Sequence, residues 1–85
     1  MAIELLYFAW VRESIGMGAE TVAPPSDVVT VSDLIGWLTT RSPGHAAAFA
    51  DPARLRAALD QAFVPLDTPI AGAGEVAIFP PVTGG

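Results

Sequence analysis

EVAIFPPVTGG, residues 75–85, decides how the rest of the chain is read. Glu75 to Phe79 has the length of a strand, and the two-residue period puts Val76 and Ile78 on its core side and Glu75, Ala77 and Phe79 on the other. Pro80 and Pro81 then remove two backbone donors and hold the chain near the polyproline conformation, so a stiffly extended tail should leave the sheet here. At roughly 3.3 Å per residue, residues 80–85 reach on the order of 20 Å, enough to thread into another protein's active site. Gly84 and Gly85 carry no Cβ, so backbone and carboxylate can enter a cleft that any side chain would block. A free α-carboxylate on Gly85, with a pKa of roughly 3.3 to 3.7, is an anion at neutral pH and a poor acylating agent. Adenylation by ATP would convert it to a mixed anhydride open to attack by a thiolate or persulfide. A thioester or thiocarboxylate at the tip of the tail would result.

Working outward from that strand, Ala2 to Val11 (AIELLYFAWV) predicts the first strand, with Ile3, Leu5 and Tyr7 on one face and Glu4, Leu6 and Phe8 on the wetter one. Arg12 to Gly18 reads as a loop or hairpin connection, and Glu20 to Ala23 as a second strand, antiparallel to the first and ended by Pro24-Pro25. Thr30-Val31-Ser32-Asp33 opens the main helix with a variant capping box. Val31, Leu34, Ile35 and Leu38 make its apolar stripe, and it should stop near Ser42, before Pro43-Gly44. His45 to Ala50 adds a turn or two of helix, with His45 as a solvated loop residue. Arg54 to Leu59 predicts a third strand, Asp60-Gln61 a tight turn into Ala62 to Val64, and residues 71–74 a turn into the final strand, which should be central. The sum is an α+β fold: a mixed sheet packed on one main helix, as one domain over residues 1–79 with a flexible tail over 80–85.

Composition narrows the chemistry. Eighty-five residues fit one small core, burying about 60 to 65% of the unfolded surface. A hydrophobic content of 52% exceeds what such a core needs, which points to a contact surface for a partner. With no cysteine and one histidine, a disulfide scaffold, a thiolate metal site, a cysteine nucleophile and a Ser-His pair of the usual kind are excluded. Nine acidic residues against four arginines, with no lysine, argue against nucleic acid and favour a basic partner surface. The apolar opening carries Glu4, lacks a basic leader and is too short to span a bilayer, so a cytoplasmic setting without membrane contact is expected.

The ending FPPVTGG, the strand EVAIF before it and the opening LLYFAWVRESIG together resemble the MoaD-type sulfur carriers, the small-subunit family of molybdopterin synthase. The resemblance spans essentially the whole chain and implies a ubiquitin-like β-grasp fold. It also implies a ubiquitin-activator-like partner that uses Mg-ATP to adenylate Gly85, and a sulfur-donating enzyme that completes the thiocarboxylate. Sulfur would then pass to cyclic pyranopterin monophosphate in the pocket of the large synthase subunit, within a heterotetramer of two small and two large subunits. The nucleotide and pterin sites would belong to those partners, leaving no cofactor or metal on this chain.

Strand parity adds a docking expectation independent of the family. Phe8, Phe63 and Phe79 should share the open face of the sheet as an apolar patch, with Arg12 at its edge. Pro80, Pro81, Val82 and Thr83 lead from there to Gly84 and Gly85 as the partner-contacting tail. Trp10 and Trp37 read as packing or incidental surface aromatics. Three alternatives stay open on the sequence: a related carrier serving thiamine, cysteine or tRNA thiolation; a modifier conjugated through Gly85 to lysines of target proteins; and a non-covalent interaction module with an idle tail.

Overall fold

The computed structural model describes residues 2–81. Its sheet is built around β5 (Glu75–Phe79), which lies between β1 (Ile3–Tyr7) and β3 (Arg56–Leu59) in the order β2-β1-β5-β3-β4. β1 runs parallel to β5, with Leu5 beside Val76 and Tyr7 beside Ile78. The other pairings are antiparallel: β1 with β2 (Ala19–Val22), β5 with β3, and β3 with β4 (Ala62–Val64). Asp60 and Gln61 both take left-handed φ angles, 47° and 75°, as a two-residue hairpin turn matched to the strand twist requires.

One face of this sheet is closed by α2 (Val31–Leu38). Thr30 caps it as expected: its Oγ1 accepts from the Asp33 amide, and Asp33 Oδ2 accepts from the Thr30 amide, each at 3.1 Å. Those two bonds fix the helix start and aim Val31, Leu34, Ile35 and Leu38 inward, where all four are buried with Ile3, Leu5, Val76 and Ile78. Burial of each such side chain contributes about 1.5–3 kcal/mol, so this stripe on this sheet face is the main source of stability. Mixed sheet, central last strand and single main helix agree with the α+β, β-grasp arrangement expected above.

Several local expectations are corrected. The first strand stops at Tyr7, and Ala9–Ile15 is a helix, α1, instead of a strand end and loop. Phe8 is still extended, but Ala9 takes a left-handed φ of 53° that turns the chain out of the sheet, and Gly16 at φ 94° ends the helix by donating its N–H to Arg12 O. The main helix ends at Leu38, short of Ser42, because the Thr39 and Thr40 hydroxyls bond the carbonyls of Gly36 and Trp37 and tighten the next turn. Pro52–Arg54 is a short 3-10 turn, so β3 begins at Arg56.

His45 is not a solvated loop residue. It sits in α3 (Pro43–Ala48), only 4% exposed. Its Nε2 is 2.6 Å from Glu20 Oε2 and its Nδ1 is 2.7 Å from Ser42 Oγ. Tyr7 donates to the same Glu20 oxygen at 2.7 Å, and Arg41 lies 3.6 Å from the other. Burial alone would raise the Glu20 carboxyl, but the bonds from His45 and Tyr7 and the charges of His45 and Arg41 outweigh it and hold it below the usual glutamate value. The Tyr7 phenol is pushed far up, by burial first and by the neighbouring Glu20 carboxylate second. Among the described residues, no buried side-chain nitrogen or oxygen lacks a partner.

Candidate functional site: the open sheet face and the root of the tail

The sheet face opposite α2 is the exposed one, and register defines what stands on it. Leu6 pairs with Ala77 on one side and Ala19 on the other; Ala77 pairs with Ala58, and Ala58 with Phe63. The alanines of this row make a low floor beside the aromatics. Phe63 is 77% exposed and Phe8 48% exposed, while Phe79 is partly buried beneath Phe63, their ring centroids 5.3 Å apart at a 44° tilt. Phe8, Phe63, Phe79, Ala77, Pro80 and Pro81 enclose a shallow apolar concavity of about 570 Å³.

The chain therefore places Phe8, Phe63 and Phe79 on one surface, as parity anticipated, and sets Pro80 and Pro81 in its wall. Phe8 reaches it because the left-handed Ala9 ends the strand directly after it, a backbone conformation that costs an L-residue about 1–2 kcal/mol. β5 is both the central strand and the one that feeds the tail, so Pro80 emerges from a rigid support. Val82, Thr83, Gly84 and Gly85 lie outside the described residues.

Arg12 is not brought to this surface. It sits on α1, where a Cβ built on Gly18 would come within 3.4 Å of its Nε, and it lines no part of the aromatic concavity. Instead, the cations near the tail root are Arg56, the register partner of Phe79, and Arg54, whose guanidinium lies 5.2 Å from the Trp10 ring centroid. Trp10, Arg54 and Ala53 share a second concavity, of about 440 Å³, with Pro80 and Pro81. The tail root is thus a ridge between an aromatic hollow and a Trp-Arg hollow. The sequence does not announce the second hollow, because Trp10 lies in an apolar run that reads as strand and Arg54 in a 3-10 turn that no hydrophobic period marks.

The concavity is lined mostly by apolar side chains, with Gln61 and Glu75 as its polar members. Among the described residues no group of three or more His, Cys, Asp or Glu side chains could hold a metal ion, and no helix is long and apolar enough to cross a membrane.

Residues 5–85 match the ThiS family. The chain is 43% identical to the molybdopterin synthase sulfur carrier subunit of Escherichia coli (strain K12) over 83 residues, covering 98% of this chain and 99% of that protein. It is 32% identical to the protein of the same name from Haemophilus influenzae, again over 98% and 99%. Among solved structures it is similar to a Pyrococcus furiosus protein described as putative molybdopterin converting factor, subunit 1, at a TM-score of 0.76 and 25% identity over 96% of this chain and 99% of that one. SAMP1 from Haloferax volcanii has the same fold, with a TM-score of 0.71 and 23% identity over the whole of both chains.

Proposed function

The chain belongs to the ThiS family, and from that premise we propose that it is the sulfur carrier and small subunit of molybdopterin synthase, its chemistry confined to the carboxylate of Gly85. One observation carries this reading from the geometry: the central strand runs straight from the core into Pro80-Pro81, beside an aromatic surface that is exposed among the described residues. A body that holds out its own end next to a docking surface is suited to being handled by partners. The curated relatives' names support the same reading, at near full-length coverage.

In this proposal the protein is not catalytic alone. A ubiquitin-activator-like enzyme docks on Phe8, Phe63 and Phe79 and uses Mg-ATP to adenylate Gly85, releasing pyrophosphate. The outer sulfur of a persulfide on a sulfur-donating enzyme displaces AMP, and a thiol reductant then cleaves the acyl disulfide so formed, leaving the tail as a thiocarboxylate and the thiol as a disulfide with the donor. The same surface then seats the protein on the large synthase subunit, with Pro80, Pro81, Val82 and Thr83 lying in the entry channel. The thiocarboxylate donates its sulfur to cyclic pyranopterin monophosphate, in a cytoplasmic heterotetramer. ATP, Mg²⁺ and pterin are bound by the partners and not by this chain.

The modifier alternative gains nothing from the likeness to SAMP1, since identity below a quarter speaks for the fold alone. Intact-mass measurement after incubation with an activating enzyme, Mg-ATP and a sulfur donor tests the proposal. A gain equal to exchanging one oxygen for sulfur, lost again on turnover with the large subunit and pterin substrate, is the expected result. A mass that never changes would remove the carrier reading.

A further inference from the structure

Charge on the open face is segregated along β5. At the start of the strand, Glu75 stands beside Glu4 in parallel register. Asp60 is held at the same end, its Oδ1 accepting from the amides of Gly74 and Glu75 at 3.1 and 3.0 Å. At the other end Arg56 is the register partner of Phe79, and Arg54 flanks Pro80 and Pro81. Four residue steps separate Glu75 from Phe79, roughly 13 Å at 3.3 Å per step.

Among the described residues neither end is neutralised from within. Among the described residues the ion pairs all use Glu20, so Glu4, Glu75, Arg54 and Arg56 have no opposite charge in contact. Like charges side by side on neighbouring strands are destabilising, so the fold carries Glu4 beside Glu75 at a cost. The two arginines are held by uncharged groups: Arg54 lies over Trp10, and Arg56 Nη1 donates to the carbonyls of Leu55 and Ala53 at 2.8 and 3.3 Å. Opposite charges are therefore fixed about a strand's length apart: Arg56 shares the open face with the two glutamates, and Arg54 stands just across the Pro80-Pro81 ridge from it.

We propose that the open face is a polarised docking surface that sets the orientation of its partner. It fits a protein with a carboxylate beside the mouth of its tail channel, facing Arg54 and Arg56, and with a cation roughly 13 Å away, over Glu4 and Glu75. Docked the other way round, like charges would meet at both ends and the tail root would point away from the channel. The inference deepens the carrier reading and rests on it.

The test is stopped-flow association of the full-length chain with purified large subunit of molybdopterin synthase, at low and at physiological salt. Arg54→Glu and the double variant Glu4→Lys/Glu75→Lys should each associate about tenfold more slowly at low salt. The deficit should shrink as salt rises. Arg54→Gln should fall between wild type and Arg54→Glu, and thermal melts verify that every variant is folded. Asp27→Lys is the control, since Asp27 is exposed in the connection between β2 and α2, outside the strands of this face, and it changes net charge as much as one glutamate reversal does. Glu4→Gln should melt higher than wild type yet associate more slowly, which a purely structural glutamate would not do. Folded reversal variants that associate at the wild-type rate, or an Asp27→Lys deficit as large as that of the double variant, would overturn the polarity. If wild type itself fails to bind the large subunit and to acquire sulfur, the carrier reading falls and this inference falls with it. If wild type does both, the kinetics judge the polarity alone.

Discussion

His45 Nε2 lies 2.6 Å from Glu20 Oε2, tying α3 to the edge strand β2 through a single carboxylate oxygen that also receives the Tyr7 hydroxyl. Both partners are largely out of water, with 5% and 12% of their side-chain surface exposed. A carboxylate in that position cannot be removed without stranding two donors. Glu20→Gln should therefore cost roughly 2–3 kcal/mol, read as a lower urea midpoint at neutral pH.

The same carboxylate gives stability a defined dependence on pH. Its folded pKa lies below the ordinary value of 4.5, so the folded state prefers it ionised. The contribution is fully present above that ordinary value and is lost as pH falls through the lower folded value. Wild type should show a falling urea midpoint over this acid window, and Glu20→Gln a shallower one. Parallel acid limbs in the two proteins would show that Glu20 does not supply the dependence.

How much of this was legible in the sequence depended on the kind of signal. Alternation in Ile3–Tyr7 and Glu75–Phe79 fixed which residues face the core, because a one-residue slip would expose every one of them. Thr30 and Asp33 marked the helix start through groups that bond their own neighbours. By contrast AIELLYFAWV is apolar throughout, and an unbroken apolar run does not show where strand becomes helix. The break at Ala9 is a backbone angle that alanine does not advertise. The burial of His45 is not legible locally because the Glu20 carboxylate it bonds and the Tyr7 ring it packs on are 25 and 38 positions distant; only Ser42, at the spacing of a helix cap, is a local hint. The aromatic patch was readable from strand parity, whereas Arg54 beside Trp10 depends on tertiary placement.

Two glycines should respond to alanine in opposite ways. A Cβ on Gly44 would sit 2.5 Å from the Ser14 carbonyl oxygen and 3.1 Å from Ile15 Cα, both backbone atoms of the neighbouring α1. Because backbone cannot swing aside, Gly44→Ala should lower stability by about 1–3 kcal/mol. On α2, a Cβ at Gly36 would meet nothing within 4 Å. Gly36→Ala should raise stability by about 0.5–1 kcal/mol, through helix propensity. Thermal melts of the two variants check both signs.

Phe63 should matter to partners and little to folding. At 77% exposed on the edge strand, it buries too little to support the core, and its main neighbour is the Phe79 ring. Phe63→Ala should shift the melting temperature only slightly while weakening binding to the large subunit at least about thirtyfold, the scale of an aromatic anchor losing 2 kcal/mol. Calorimetric titration beside a thermal melt separates the two effects. Unchanged affinity with a large loss of stability would return Phe63 to a structural role.

Gly84 and Gly85 provide the sharpest test, because chemistry alone and no fold argument assigns their role. In the proposed carrier role, a side chain at Gly84 would add a Cβ to the segment that enters the activating enzyme, and a displacement near reacting atoms of even about 1 Å can lower rate by about a hundredfold. Gly84→Val should therefore reduce kcat/KM for adenylation, followed as pyrophosphate release, by that order, with the melting temperature unchanged. Deleting Gly85 should abolish sulfur loading, followed by intact mass, while leaving binding to the large subunit measurable, since Phe8, Phe63 and Phe79 are untouched. Loading that survives the deletion would place the acceptor group elsewhere on the chain; binding that vanishes with it would mean that the tail, and not the aromatic surface, supplies most of the affinity.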